Sequence, residues 1–201
     1  MLKVGLTGGL ACGKSFVGEV LASYGCLFIR ADELGHEVLR PGGEAYGPVV
    51  REFGQEVLAP GGEIDRRRLA ARVFGKPQAL ARLNALVHPP VVRREEQLIA
   101  EFARRHPHAI AVVEAAILIE TGSYKRFDRV ILVTCSEEQQ VARAMHRDGA
   151  SEDEVRARLR AQMSLAEKRK FADFVIDTSG AKEDTLRQVR TVYDELRRIE
   201  I

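Results

Sequence analysis

Short apolar runs alternate with longer amphipathic segments along most of the chain. Each run has the length of a strand and carries few polar residues, which is typical of strands buried on both faces of a parallel sheet. The predicted strands are Leu2–Thr7, Cys26–Ile29, Ala109–Val113, Arg129–Val133 and Phe174–Ile176. Because predicted helices separate them, the pattern indicates an α/β fold with a doubly wound, parallel, five-stranded sheet.

The polar and apolar pattern between the second and third strands is helical throughout and too long for a simple crossover. We therefore predict a discontinuous core of residues 1–31 and 107–201 and a separate, all-helical lobe of residues 32–106. Within this lobe, His88 precedes Pro89 and Pro90. The residue before a proline is biased away from helical geometry, so the motif predicts a break between two helices.

Composition and charge argue against two classes of partner, nucleic acids and membranes. The formal net charge is +2, from 31 basic and 29 acidic residues, which gives no reason to expect nucleic acid as a partner. No apolar stretch approaches the length of a membrane span and no signal-peptide pattern opens the chain, so we predict a cytoplasmic protein without a membrane partner. The oligomeric state stays open between a monomer and a weak homo-oligomer.

The three cysteines, Cys12, Cys26 and Cys135, show no C-x-x-C spacing. An odd number without that spacing suggests neither a disulfide framework nor a zinc site. We expect each of them to be a small buried hydrophobic side chain.

Residues 8–15 read Gly-Gly-Leu-Ala-Cys-Gly-Lys-Ser, the pattern G-x-x-x-x-G-K-[ST], and follow the first predicted strand directly. A strand, a glycine-rich turn and a helix N-terminus together present backbone amides to phosphate groups. Lys14 can reach the outer phosphates, and Ser15 can offer its hydroxyl to Mg²⁺. We therefore predict a nucleotide site formed by Thr7, Gly8, Gly9, Leu10, Ala11, Cys12, Gly13, Lys14, Ser15 and Phe16.

Acidic side chains follow two other predicted strands, and the carboxyl ends of parallel strands meet at one edge of a sheet. Asp32 could act as a general base toward an attacking hydroxyl, or it could be the N-cap of a helix over residues 33–39. Glu114 could hold Mg²⁺, or it could simply be solvated. Glu120 is a weaker candidate for the same edge.

Capping boxes at Ser136 and Ser151 predict the start of two arginine-rich helices within residues 137–170, which we interpret as a lid. Arg156 and Arg158 have acids four residues before them and are expected to form intrahelical pairs. Arg143 and Arg147 have no acid three or four residues upstream. They could bind an external anion, as the catalytic arginines of a lid bind a phosphoryl group, or they could belong to a basic surface helix.

Two groups of residues in the helical lobe could contact an acceptor. Arg66 belongs to a basic run that could face either solvent or an anionic substrate, and His88 alone is more often structural than functional.

These residues, taken in order, resemble the dephospho-CoA kinase family over essentially the whole chain. The matching segments are Gly5–Gly9 with Lys14-Ser15, Ala31-Asp32, Pro41-Gly42, Gly62–Arg66, Val87-His88-Pro89, Ile117–Gly122, Arg143–Asp148, Arg158–Gln162 and Ala172–Asp177. The phosphate loop is shared with a large superfamily. The His-Pro motif and the final Ala-Asp-Phe-Val-Ile-Asp segment are specific to a much smaller group of proteins. The sequence departs from the family at Ala116, Ile119 and Thr178, where Pro, Phe and Asn are common.

The resemblance implies a P-loop kinase core that transfers the γ-phosphoryl group of ATP to the ribose 3′-hydroxyl of dephospho-CoA, with Mg²⁺ as cofactor. It implies Asp32 as the base, Thr7, Lys14 and Ser15 at the phosphates and the metal, and Arg143 or Arg147 as the catalytic arginine of the lid. It also implies that Arg66, His88 and Pro89 belong to the acceptor lobe. Together with Glu114 as a metal ligand, we expect the acceptor-binding residues to be Asp32, Arg66, His88, Pro89, Glu114 and Leu118.

Other nucleotide-binding classes fit less well. A GTPase is disfavoured because the N-K-x-D motif is absent: the one asparagine, Asn84, is followed by Ala85. Another small-acceptor kinase, of the nucleoside monophosphate or shikimate type, would share the core and differ in the helical lobe. An ATP-binding regulator without transfer activity is the alternative from a different class.

Overall fold

A parallel sheet forms the centre of the protein in a computed structural model, which describes residues 1–199. Its strands lie in the order β2-β3-β1-β4-β5. The predicted five-stranded α/β architecture is confirmed. The strands are β1 (Leu2–Gly8), β2 (Leu27–Arg30), β3 (Ile110–Glu114), β4 (Arg129–Thr134) and β5 (Phe174–Asp177).

Strand β1 occupies the middle of the sheet and pairs in parallel with both β3 and β4. Leu6 lies opposite Glu114 on one side and opposite Ile131 on the other. Strand β4 in turn pairs in parallel with β5, with Thr134 opposite Asp177. This register brings the ends of β1, β3, β4 and β5 to one edge, which is where ligands bind in open α/β sheets.

One face of the sheet packs against two helices, α1 (Lys14–Ser23) and α9 (Lys182–Leu196), which also contact each other. Because side chains alternate along a strand, every second residue of β1 points to this side. The buried cluster includes Leu2, Val4 and Leu6 of β1, Val17 and Leu21 of α1, and Val189 and Val192 of α9. On the opposite face, a side chain at Gly5 would collide with Leu118 and Phe127, so that glycine permits close packing there.

Three helices follow β4 in the order α6 (Glu137–Asp148), α7 (Glu152–Arg160) and α8 (Leu165–Lys168). The predicted capping boxes, Ser136 with Gln139 and Ser151 with Glu154, are both present. A third box, Ser164 with Glu167, begins α8. Each box satisfies two backbone amides that a helix start would otherwise leave without partners.

The chain divides into two compact units, Met1–Ile29 with the chain from Phe102 onward, and Arg30–Glu101. The second unit contains the helices α2 (Ala31–Val38), α3 (Tyr46–Phe53), α4 (Arg66–Val73) and most of α5 (Pro77–Ala103). A single antiparallel bridge joins Leu58 to Ile64 in the loop before α4. No helix among residues 1–199 is both long and apolar enough to cross a membrane.

The predicted helix break at His88-Pro89-Pro90 is wrong, because α5 runs continuously through both prolines. An interior proline costs a helix about 3 kcal/mol through a lost hydrogen bond and a steric clash. Pro90, Val91 and Ile99 are buried along α5. Burial of these side chains stabilises the helix and offsets the local preference of the proline motif.

Candidate active site

The phosphate loop joins β1 to α1 in the predicted strand–loop–helix arrangement. Gly13 has a φ of 80° at the N-cap of α1, a conformation that glycine adopts without steric cost. A Cβ atom at Gly8 would lie 2.3 Å from the carbonyl oxygen of Val133. The two glycines therefore allow the loop to turn tightly against β4 and begin the helix with its amides exposed to a ligand.

Lys14 extends back over this loop. Its Nζ atom donates a hydrogen bond to the carbonyl oxygen of Gly9 at 2.8 Å and lies 3.5 Å from that of Gly8. The ammonium group is thus held at the mouth of the phosphate loop, where a point charge can attract phosphate oxygens.

Ser15 and Glu114 meet at the carboxyl edge of the sheet. The Ser15 hydroxyl lies 2.9 Å and 3.1 Å from the two carboxylate oxygens of Glu114. Hydroxyl and carboxylate oxygens suit Mg²⁺, which proteins commonly hold through one or two such groups together with substrate phosphates. Within residues 1–199 no cluster of three or more His, Cys, Asp or Glu side chains could hold a metal by itself. The donor set therefore fits a metal bound jointly with a nucleotide.

An ion pair made by a buried lysine supports the segment that follows Glu114. Lys168 is completely buried, and its Nζ atom lies 2.9 Å from Glu120 and 3.0 Å from the carbonyl oxygen of Ala116. The Thr7 hydroxyl donates to the same carbonyl at 3.4 Å. Glu120, considered above for the sheet edge, thus pairs with Lys168, a residue that the sequence pattern did not single out. Leu118 is buried in this segment against Gly5.

Arg143 is anchored to the loop after β5. Its guanidinium donates to the Thr178 hydroxyl at 3.1 Å and to the Thr178 carbonyl at 2.8 Å. The same hydroxyl donates to the carbonyl oxygen of Cys12, 3.0 Å away in the phosphate loop. Arg143 and the phosphate loop are therefore connected through Thr178, a partner that the spacing of acidic residues along the helix did not indicate.

Arg147 also has a protein partner, which lies next to it in the chain. It makes a bidentate contact with Asp148 at 2.7 Å and 3.0 Å, and Arg158 contacts the same carboxylate at 3.0 Å. Hydrogen bonds from Arg147 hold the pKa of Asp148 below its usual value, with added help from Arg158. The predicted Arg156–Glu152 pair is confirmed at 2.8 Å. Arg158 contacts Asp148 instead of the expected Glu154. The Glu154 carboxylate accepts a hydrogen bond from the Ser151 amide and so completes the capping box.

A cavity of about 520 Å³ opens beside the phosphate loop. Gly9, Cys135 and Gln140 lie on its loop side, and residues from α7 and α8 complete it. Arg160 lines this cavity, and the structure shows no ion pair for it among residues 1–199. The sequence pattern gave no reason to separate Arg160 from its basic neighbours. The remaining lining residues are Glu137, Arg156, Leu159, Gln162, Met163, Ser164, Leu165 and Glu167.

Four predicted acceptor residues belong to the helical unit. Asp32 is exposed in the first turn of α2, and the N-cap of that helix is Arg30, so the N-cap interpretation of Asp32 is wrong. Arg66 begins α4, whose N-cap is Asp65. His88 is half-buried and Pro89 exposed near the middle of α5.

His36 lies one turn after Asp32 on α2 and was not singled out from the sequence. Burial lowers its pKa, and the positive charge of Arg66 lowers it further. The helical unit thus brings α2 and the start of α4 together, with Arg66 close to the helix that carries Asp32.

Comparison with known proteins gives a consistent family. The family model described as dephospho-CoA kinase matches residues 2–184. A protein named dephospho-CoA kinase from Thermobifida fusca is 43% identical over 198 residues, which are 98% of each chain. A solved structure of a Thermus thermophilus protein is 36% identical with a TM-score of 0.81 and covers 97% of both chains.

A solved dephospho-CoA kinase from Campylobacter jejuni is 27% identical with a TM-score of 0.71 and covers 98% of this chain and 97% of its own. Sequence and fold therefore agree over nearly the full length. The chain belongs to the dephospho-CoA kinase family.

Proposed function

We propose that the protein transfers the γ-phosphoryl group of ATP to the ribose 3′-hydroxyl of dephospho-CoA, giving coenzyme A and ADP. The observation that carries this proposal is the family match over residues 2–184, combined with a phosphate loop whose Ser15 meets Glu114. The family match supports dephospho-CoA as the acceptor, and the geometry of the loop supports the assignment of phosphate and Mg²⁺ binding to it.

In this proposal the ATP phosphates lie along the amides of residues 7–16, with Lys14 at the outer phosphates. Ser15 and Glu114 would hold Mg²⁺, which supplies charge neutralisation at the β- and γ-phosphate oxygens when it is bound. The placement of the Lys14 ammonium over Gly9 supports this assignment, because the positive charge already lies at the mouth of the loop.

Asp32 is proposed as the general base. The 3′-hydroxyl oxygen attacks the γ-phosphorus while its proton passes to the Asp32 carboxylate, and ADP leaves as the bond to the β-γ bridging oxygen breaks. Two observations support a free carboxylate for this role. Asp32 is exposed, and its place inside the first turn of α2 rather than at the N-cap leaves its side chain without a capping function.

Arg143 and Arg147 are proposed to stabilise the charge on the transferring group. Arg143 is the better placed of the two toward the loop, because Thr178 joins it to the Cys12 carbonyl. Arg147 would have to share its guanidinium between Asp148 and a phosphate, and the Arg158–Asp148 contact can keep that carboxylate neutralised while it does so.

The helical unit is proposed to receive the acceptor through Arg66, His88 and Pro89. Leu118 is proposed as a further acceptor-binding residue. Arg66 is exposed at the start of α4 and supplies positive charge suited to the phosphates of dephospho-CoA. His88 is only half-buried, which leaves part of its ring available to a ligand.

An acceptor panel tests the proposal directly. ADP release is measured with Mg-ATP and, in separate reactions, dephospho-CoA, AMP, shikimate or no acceptor. We expect rapid ADP release in the reaction that contains dephospho-CoA and not in the other three. Faster release with AMP or shikimate would assign the protein to another small-acceptor kinase class, and ATP binding without release in any reaction would indicate a regulator.

A further inference from the structure

Two free cysteines meet at the phosphate loop. Cys12 lies within the loop, Cys135 follows β4 directly, and their Sγ atoms are 3.1 Å apart. Both are buried, as the sequence led us to expect for each cysteine singly, but nothing in their spacing predicted that they would be neighbours. The third cysteine, Cys26, is also buried and free.

The surroundings of Cys135 favour its thiolate. The contact with the Cys12 sulfur lowers the pKa of Cys135, and the positive charge of Arg143 acts in the same direction, whereas burial opposes both. The Cys12 thiol is the one that keeps its proton, because its pKa is raised by that same contact and by burial. Burial alone raises the pKa of Cys26 to about 12. Of the three, Cys135 is therefore the nucleophilic sulfur.

Cys135 lies at the wall of a cavity beside the phosphate loop, although only 7% of its surface is exposed. Cys135 and Gly9 both line the cavity of about 520 Å³ beside the phosphate loop. The site thus combines a cysteine at the wall of a cavity with a second cysteine whose sulfur is in contact with it, which is the arrangement of a redox-sensitive pair.

We propose that Cys12 and Cys135 form a reversible disulfide when the protein meets a peroxide, and that this bond disables the phosphate loop. In the first step the Cys135 thiolate attacks one oxygen of hydrogen peroxide, the O–O bond breaks, and hydroxide leaves to give a sulfenic acid. The Cys12 thiol then attacks that sulfur, and its proton leaves with the hydroxyl group as water. Two thiols are oxidised and one peroxide is reduced to two molecules of water.

Disulfide formation would move the loop backbone. The sulfurs must approach from 3.1 Å to the roughly 2.05 Å of an S–S bond. The Cys12 sulfur already lies against Gly9, where an added Cβ would be 2.9 Å from it, and the Cys12 carbonyl is held by Thr178. The loop therefore cannot follow the sulfur without displacing its amides, and a displacement of about 1 Å at a reaction site can cost about 10²-fold in rate.

The test treats the reduced protein with hydrogen peroxide and follows two readouts. Peptide mass spectrometry locates any disulfide, and equilibrium binding of a fluorescent ATP analogue, without acceptor, reports on the loop. Wild type is compared with Cys135→Ser and with the matched control Cys26→Ser, each relative to its own untreated sample. ATP-analogue binding does not depend on the acceptor, so this outcome is separate from the success of the proposed function.

The expected result is a Cys12–Cys135 crosslink in wild type and Cys26→Ser, with nucleotide affinity lowered about tenfold or more and restored by dithiothreitol. Cys135→Ser should form no crosslink and keep its untreated affinity. Irreversible oxidation of Cys135 without a crosslink, or a crosslink that leaves nucleotide affinity unchanged, would overturn the proposal. Because the wild-type crosslink and its reversal are read directly, the test stands even if a serine variant folds poorly.

Discussion

The Ser15 hydroxyl lies within 3.1 Å of both carboxylate oxygens of Glu114, although 99 positions separate the two residues in the chain. The helix α1 and the strand β3 bring them together at the carboxyl edge of the sheet. A hydroxyl and a carboxylate in contact supply two oxygen ligands beside the loop that would bind the phosphates.

Replacing Glu114 by Gln should weaken the dependence of activity on Mg²⁺. The amide keeps the shape of the side chain but removes the negative charge, so the Mg²⁺ concentration for half-maximal rate should rise about 10–100-fold. The measurement is a Mg²⁺ titration of ADP release at fixed ATP. Glu183→Gln, an exposed acid on α9, is the matched control. Equal Mg²⁺ dependence in both variants would remove Glu114 from the metal site.

Replacing Asp32 by Asn should abolish most turnover and leave ATP binding nearly intact. Loss of a general base costs about 10²–10⁴-fold in kcat, whereas asparagine keeps the size and shape of the side chain and leaves the loop residues that would bind ATP unchanged. Steady-state kinetics and equilibrium ATP binding are measured on the same preparations. The neighbouring Glu33→Gln, which loses an ion pair with Arg30, serves as control. Near-normal kcat in Asp32→Asn would show that another group accepts the proton.

Replacing Arg143 or Arg147 by Ala should lower kcat more than it raises KM. Arginines that stabilise a transferring phosphoryl group contribute about 10³-fold or more in related reactions. Arg187→Ala is the control, because this arginine also forms an ion pair with a neighbouring acid but lies on α9. An unchanged kcat in both lid variants would mean that the helices α6 and α7 only cover the site.

The free energy of unfolding should decrease as the pH falls below 6.5, in part because of His88. Burial lowers the pKa of His88 from its ordinary 6.5, so between the two pKa values the unfolded chain binds more protons than the folded one. Stability therefore rises with pH through this window and is fully present above 6.5. In denaturant unfolding at several pH values, the free energy of unfolding should decrease less with falling pH for His88→Gln than for wild type. The exposed His108→Gln is the control. The same dependence of unfolding free energy on pH in all three proteins would contradict the contribution of His88.

Local patterns predicted the features that depend on neighbours in sequence. The strand before Gly8, the turn at Gly13 and the capping boxes at Ser136 and Ser151 each rest on residues a few positions apart, and the structure contains all of them. The capping box at Ser164 has the same signature and could have been found in the same way.

Features that depend on distant partners could not be predicted in this way. Lys168 contacts Ala116 across 52 positions and Thr178 contacts Cys12 across 166, and no periodic pattern encodes such pairs. The continuity of α5 is a related case, because burial of Pro90 and Val91 overrides the local preference against a helix. Arg147 differs, because its partner Asp148 is adjacent in the chain, whereas the helix pairing rule concerns residues three or four positions apart.

The most direct test of the central claim compares dephospho-CoA with an analogue that lacks only the ribose 3′-hydroxyl. ADP release and product mass are measured with each acceptor at saturating Mg-ATP. We expect one added phosphoryl group on dephospho-CoA, and with the analogue only the background ADP release seen without an acceptor. Equal phosphorylation of both acceptors would contradict it, because the transferred group would then be attached to another atom.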